Sequence, residues 1–157
     1  MNIKETVKSQ YRASLAMLRQ AIEGCSKDLW LDQSYVNVSW NIAYHVLFYT
    51  HLYLSPSEEA FKTWANHKSY YHEFGSWPEP YSQAQVLDYL TICLEQVDAQ
   101  VDAMELDAPS GFSWLPFNKL ELQFYNIRHI MLHTGELYER LGARVEVEFT
   151  WVARAPA

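Results

Sequence analysis

Apolar residues recur at helical spacing in four long stretches of the chain. Between residues 2 and 24 they fall at Ile3, Val7, Tyr11, Leu15, Leu18 and Ile22 with charges between them, which predicts an amphipathic helix stopped by Gly24. Between 37 and 54 they occupy every side, from Val38 and Trp40 to Leu52 and Leu54, with Asn37 placed to cap. A helix without a wet face is a buried one. Ser82 and Gln85 form a capping box for a third helix to about 106, whose stripe is Leu87, Leu90, Leu94, Val97 and Val101. Asn118 and Glu121 open a fourth, predicted over 118–141 and closed by Gly142. One of its faces carries Leu120, Phe124, Ile127, Met131 and Leu141, while the adjacent one carries Tyr125, Asn126, His129, His133 and Glu136. The second face is polar for a helix that packs in a bundle.

The segments between the helices are less regular. Ser55-Pro56-Ser57-Glu58 has the form of a capping box with proline at the first helical position, so a short helix is expected over 56–66. Tyr70 to Tyr81 is too aromatic for disorder and too broken for a regular element, and reads as a flap over one end of the bundle. Residues 107–117, with Pro109, Gly111 and Pro116, are a loop carrying Phe112, Trp114 and Phe117. From Arg144 to Val152, apolar Val145, Val147, Phe149 and Trp151 alternate with polar residues as in a strand. Without a partner strand in the chain, that tail is expected to pack extended on the helices or to pair with another subunit. The expected fold is therefore all-α, a single domain over 1–157 built as a four-helix bundle with a short extended C-terminal tail.

Composition narrows the function. With 157 residues, 49% of them hydrophobic and a mean hydropathy of -0.25, the chain can bury a core without disulfides. A formal charge of -7 and a pI near 5.3 argue against nonspecific nucleic-acid binding, which needs a basic surface. Lys4, Lys8, Arg12 and Arg19 are diluted by Glu5 and Glu23 and read as a solvated face. The apolar run from Trp40 to Leu54 is interrupted by Asn41, His45, Thr50 and His51 and is too short to span a membrane. The N-terminus lacks the apolar core of a secretory signal, and Cys25 and Cys93 stand alone, which fits free thiols in a reducing cytoplasm.

The candidate chemistry lies in the histidines. His129 and His133 stand four apart, so their rings leave one helix face about one turn apart, a spacing that suits two ligands on one ion. Taken alone, such a pair is more often a satisfied core feature than a metal site. His45, near the middle of the second helix, is placed to meet the pair across the bundle; His51 points elsewhere on the same helix, and His67 and His72 fall in the aromatic connection. Three imidazoles would suit a divalent transition metal such as Ni, Zn or Fe and leave positions open for water or substrate. His129 is followed by Ile130, so this is not the H-E-x-x-H protease arrangement, and no E-x-x-H of a di-iron bundle occurs. Glu136 shares the histidine face and can orient a ligand ring, reach the metal or pair with Arg140. Tyr49, Asn41 and Asn126 are further polar candidates, with Tyr49 and Glu136 the two expected to act in catalysis. A histidine cluster without metal, in a non-catalytic bundle that binds a small apolar ligand or a partner protein, is the competing reading.

Trp40-Asn-Ile-Ala-Tyr-His45, together with Asn126-Ile-Arg-His129-Ile-Met-Leu-His133-Thr-Gly-Glu136-Leu137, resembles the DinB/YfiT-like superfamily of metal-dependent enzymes. The resemblance implies His45, His129 and His133 as metal ligands and an up-down-down-up bundle in which the connection from Ser55 to Tyr81 crosses over between parallel helices. It also implies a homodimer acting on a small-molecule substrate, in some members with a low-molecular-weight thiol. The aromatic loop and the tail lie outside the motif, so neither substrate nor assembly follows from them.

Overall fold

The structure, a computed structural model, describes residues 2–144 and 148–155. Among them are five helices and no strand: α1 (Ile3–Gly24), α2 (Lys27–Trp30), α3 (Ser39–Leu54), α4 (Gln83–Ala103) and α5 (Lys119–Arg144). None of them is long and apolar enough to cross a membrane.

Each long helix begins where a side chain satisfies the free amides of its first turn, α3 excepted. The Asn2 side chain accepts from the Glu5 amide, the Ser82 and Gln85 box closes as the sequence predicts, and Asn118 Oδ1 accepts from the Glu121 amide at 2.9 Å. The start of α3 departs from expectation. Val38 holds the cap position without a side-chain bond, and the Asn37 carbonyl instead accepts from Arg140 at 2.6 Å. α5 also runs through Gly142 to Arg144, and α4 stops at Ala103, three residues short of the expected end.

α1 and α3 each pack against both α4 and α5, enclosing a core that includes Tyr11, Leu15, Leu18, Trp40, Leu47, Leu90 and Leu137. The basic residues of α1 do more than face solvent. Lys8 bonds Asp102 at 2.9 Å and Arg12 pairs with Asp98, tying α1 to α4. A second, smaller apolar cluster joins Phe48, Leu52 and Tyr53 of α3 to Leu122 of α5 and to Phe112 and Leu115 of the 104–118 loop.

The short helix expected over 56–66 is absent; the segment forms turns. Its capping pattern is diverted, because the Ser55 hydroxyl donates back to the His51 carbonyl at 3.1 Å and the Glu58 amide donates to Gly111. Gly111 has φ +90°, and a Cβ there would stand 2.6 Å from the Pro56 carbonyl oxygen, so this close crossing of two loops requires glycine. The core face of α5 also differs from the apolar face in the sequence. Phe124 is 60% exposed, whereas Gln123 and Asn126 are fully buried. They are held by Tyr11, whose phenol donates to Gln123 Oε1 at 2.7 Å and accepts from Asn126 Nδ2 at 2.9 Å.

The strand-like pattern over 144–152 falls partly on residues 145–147, outside the described residues. Residues 148–155 lie against α1 without forming a strand. The Gln20 amide mimics a strand partner by exchanging two bonds with Thr150, Gln10 donates to the Ala153 carbonyl, and Phe149 stacks on Tyr138 at 4.0 Å.

Candidate metal centre

His45 from α3 and His129 and His133 from α5 converge where these two helices pack together. One ring nitrogen from each lies within 4.8 Å of the other two. The His45 and His129 Nε2 atoms are 3.1 Å apart. Two imidazoles on one tetrahedral ion, with bonds near 2.0–2.1 Å, place their nitrogens about 3.3 Å apart, close to this separation, which is also that of a hydrogen bond between the two rings.

The outward-facing nitrogens set the tautomers. His45 Nδ1–H donates to the His72 carbonyl at 2.7 Å, and His133 Nδ1–H donates to Glu136 Oε2 at 2.8 Å. In both rings the proton is therefore held at Nδ1, leaving Nε2 with a lone pair. His129 Nδ1 is buried without a partner. Burial pushes His45 down to about 4, against a weaker opposing effect of the His72 carbonyl, and pushes His129 down to about 3, with His45 and His133 adding to the effect. Neutral imidazoles are the form that binds a metal, and a set of three nitrogen donors with no carboxylate fits a borderline transition ion.

The aromatic connection covers this centre. Asn41, one turn before His45, donates to the Tyr71 carbonyl at 2.8 Å and accepts from the Gly75 amide at 3.2 Å, clamping the two ends of segment 71–75. Between those ends, His72 supplies the carbonyl bonded by His45, and Phe74 stacks on the His45 ring at 4.3 Å and lies 5.7 Å from His133. Tyr70, which leads into the segment, has φ 66°, a conformation that costs a non-glycine residue about 1–3 kcal/mol.

The other sequence candidates divide. Tyr49 lies beside the centre, its ring 4.8 Å from His45 and 5.7 Å from His129, and burial raises its phenol pKa, with Glu73 adding to the effect. Glu136 bonds His133, while Arg140 turns away to Asn37 and Ser39 and packs over Tyr35. Asn41 acts on the aromatic segment, and Asn126 belongs to the buried Tyr11 network. A cavity of about 360 Å³ opens on the His45 and His129 side, lined also by Tyr49, Tyr53, Trp114 and Tyr125. Tyr53 and Tyr125 were readable from sequence, since they continue the i+4 stripes of His45–Tyr49 and His129–His133. Trp114 and the His72 carbonyl carry no such signal. Comparison with protein-family models, with curated proteins and with solved structures found no match.

Proposed function

We propose that the protein is a metal-dependent enzyme of the DinB/YfiT-like kind, with His45, His129 and His133 holding one divalent transition ion between α3 and α5. The observation that carries this reading is the convergence of three imidazoles, two of them with their protons fixed on the outward nitrogen. A divalent ion held there would lower the pKa of a coordinated thiol or water, supplying a nucleophile at neutral pH.

The chain's own residues do the rest. Glu136 and the His72 carbonyl hold two ligand rings in orientation, and Phe74 excludes water from the His45 face. Tyr49, with its phenol kept protonated by burial, is a hydrogen-bond donor at the cavity wall. The cavity admits a small organic substrate, and transfer of a low-molecular-weight thiol to an electrophilic carbon is the reaction class favoured here. The same reading makes α1, α3, α4 and α5 an up-down-down-up four-helix bundle, supported by the packing of α1 and α3 on both α4 and α5 and by the long connection from α3 to α4. It also includes a homodimer, which sedimentation of the purified protein would test.

Metal analysis of the purified protein is expected to give about one transition ion per chain, lost in His129→Ala. A thiol paired with an electrophilic acceptor should then turn over, and a chelator should abolish the activity. A protein that takes up no metal ends this reading. Metal without turnover would leave a binding role, which the aromatic cavity beside the centre also supports.

A further inference from the structure

We infer that the aromatic cavity beside the histidines is a binding site for an uncharged, flat aromatic compound of one or two fused rings. The inference deepens the metal-centre reading and rests on it for what becomes of the ligand, though not for binding.

The argument begins with which side of the centre is open. His45 and His129 line the cavity and His133 does not, while Phe74 covers His45 and approaches His133. A compound in the cavity therefore meets the centre from the side of Tyr49. The remaining walls are Tyr49, Tyr53, Trp114 and Tyr125, so no formally charged side chain lines the space. In the metal-free protein an anionic ligand finds no counter-charge there, and a cationic one finds no carboxylate. The charges at the margin oppose each other: Glu73 acts on Tyr49, and Arg128 sits over Tyr125 at 5.7 Å. Four aromatic walls match a ring better than an aliphatic chain, since offset and edge-on ring pairs gain energy beyond their buried area. At about 360 Å³ the cavity lies at the small end of ligand sites.

The mouth is also held in shape. Trp114 is 48% exposed, yet Phe112 and Leu115 on either side of it are buried in the second apolar cluster. The Ser110 hydroxyl bonds the Phe112 amide at 3.1 Å and the Leu115 carbonyl at 2.7 Å, closing the loop beneath the indole. A preorganised aromatic wall loses little entropy on binding.

Calorimetric titration of the metal-free protein with 1-naphthol, 1-decalol, 1-naphthoate and phenyltrimethylammonium tests the assignment, and zinc uptake is measured separately on the same preparation. 1-Naphthol should bind at least about fivefold tighter than each of the other three. Trp114→Ala should weaken it by about fivefold or more, and Trp114→Phe should restore most of the loss, with thermal melting of both variants close to wild type. Equal binding of the saturated, anionic or cationic probe, no effect of Trp114→Ala, or no binding of 1-naphthol overturns the inference. Selective binding without zinc uptake sinks only the metal reading, and zinc uptake without selectivity sinks only this one.

Discussion

The six histidines form two sets of three that differ in where their ring nitrogens point. In the set that does not converge, His67 Nδ1 shares a bond with the Tyr44 phenol at 2.6 Å and His51 Nδ1 one with the Tyr89 phenol at 3.0 Å. His72 stacks on Phe48 at 4.1 Å and acts on the centre only through its carbonyl. In the converging set, His45 and His133 turn Nδ1 outward to oxygen acceptors and keep Nε2 for the interior. Burial depresses the pKa of His45, His51, His67, His72 and His129 alike, so burial does not separate the sets. The surroundings of the ring do: His51 and His67 each share a bond with a phenol, and His72 stacks on Phe48 away from the centre, whereas His45, His129 and His133 bring ring nitrogens within 4.8 Å of one another.

The sharpest way to break that contrast is to remove one ring from each set. His129→Ala should reduce bound metal from about one ion per chain to near zero, while His51→Ala should leave it unchanged, both read by elemental analysis after gel filtration. Equal loss of metal in the two variants would erase the distinction.

Acidification of the metal-free protein ranks next. The folded-state values of about 4 for His45 and about 3 for His129 lie below the ordinary 6.5, so between these limits the unfolded chain binds protons that the folded chain does not. Stability is therefore full above about pH 6.5 and falls as pH drops toward 4, by at most about 1.4 kcal/mol per pH unit for each histidine. Urea midpoints at several pH values should show a shallower acid slope in His129→Ala than in wild type.

The phenol-paired set should reveal itself in stability instead. His67→Ala leaves the Tyr44 hydroxyl without its partner and is expected to cost about 1–3 kcal/mol in urea unfolding of the metal-free protein, with metal uptake retained.

These contrasts also mark what the sequence could and could not reveal. Helical phase placed His129 and His133 on one face of one helix, because a 3.6-residue period is a property of sequence position alone, whereas His45 was picked out by its place near the middle of a second helix and by the resemblance to the DinB/YfiT-like motif. Local capping was legible at Ser82, where nothing competes for the hydroxyl, and illegible at Ser55, where the same pattern is overridden by the His51 carbonyl and by Gly111. Asn126 shares the phase of the histidines, yet it is engaged by Tyr11, a partner 115 residues away. The contribution of the aromatic connection was legible only as a cover. The group that fixes the His45 tautomer is a backbone carbonyl, which any residue at position 72 would supply.

That last bond supplies the smallest effect and the finest test. The hydrogen bonds of Asn41 go to Tyr71 and Gly75 rather than to a histidine, and by clamping them its amide holds the His72 carbonyl on His45 Nδ1. Asn41→Ala should weaken zinc binding by about tenfold, as loss of an outer partner of a metal-bound histidine typically does, and Glu136→Gln should do the same through His133. Competition with a chromophoric chelator measures both. A merely structural role for Asn41 would lower the melting temperature without moving the long-range nitrogen NMR signature of the His45 tautomer. Positioning through the clamp instead requires that the metal-free Asn41→Ala protein lose the single Nδ1–H form, because without the His72 carbonyl the remaining neighbour, His129 Nε2 at 3.1 Å, can either donate to His45 Nε2 or accept from it.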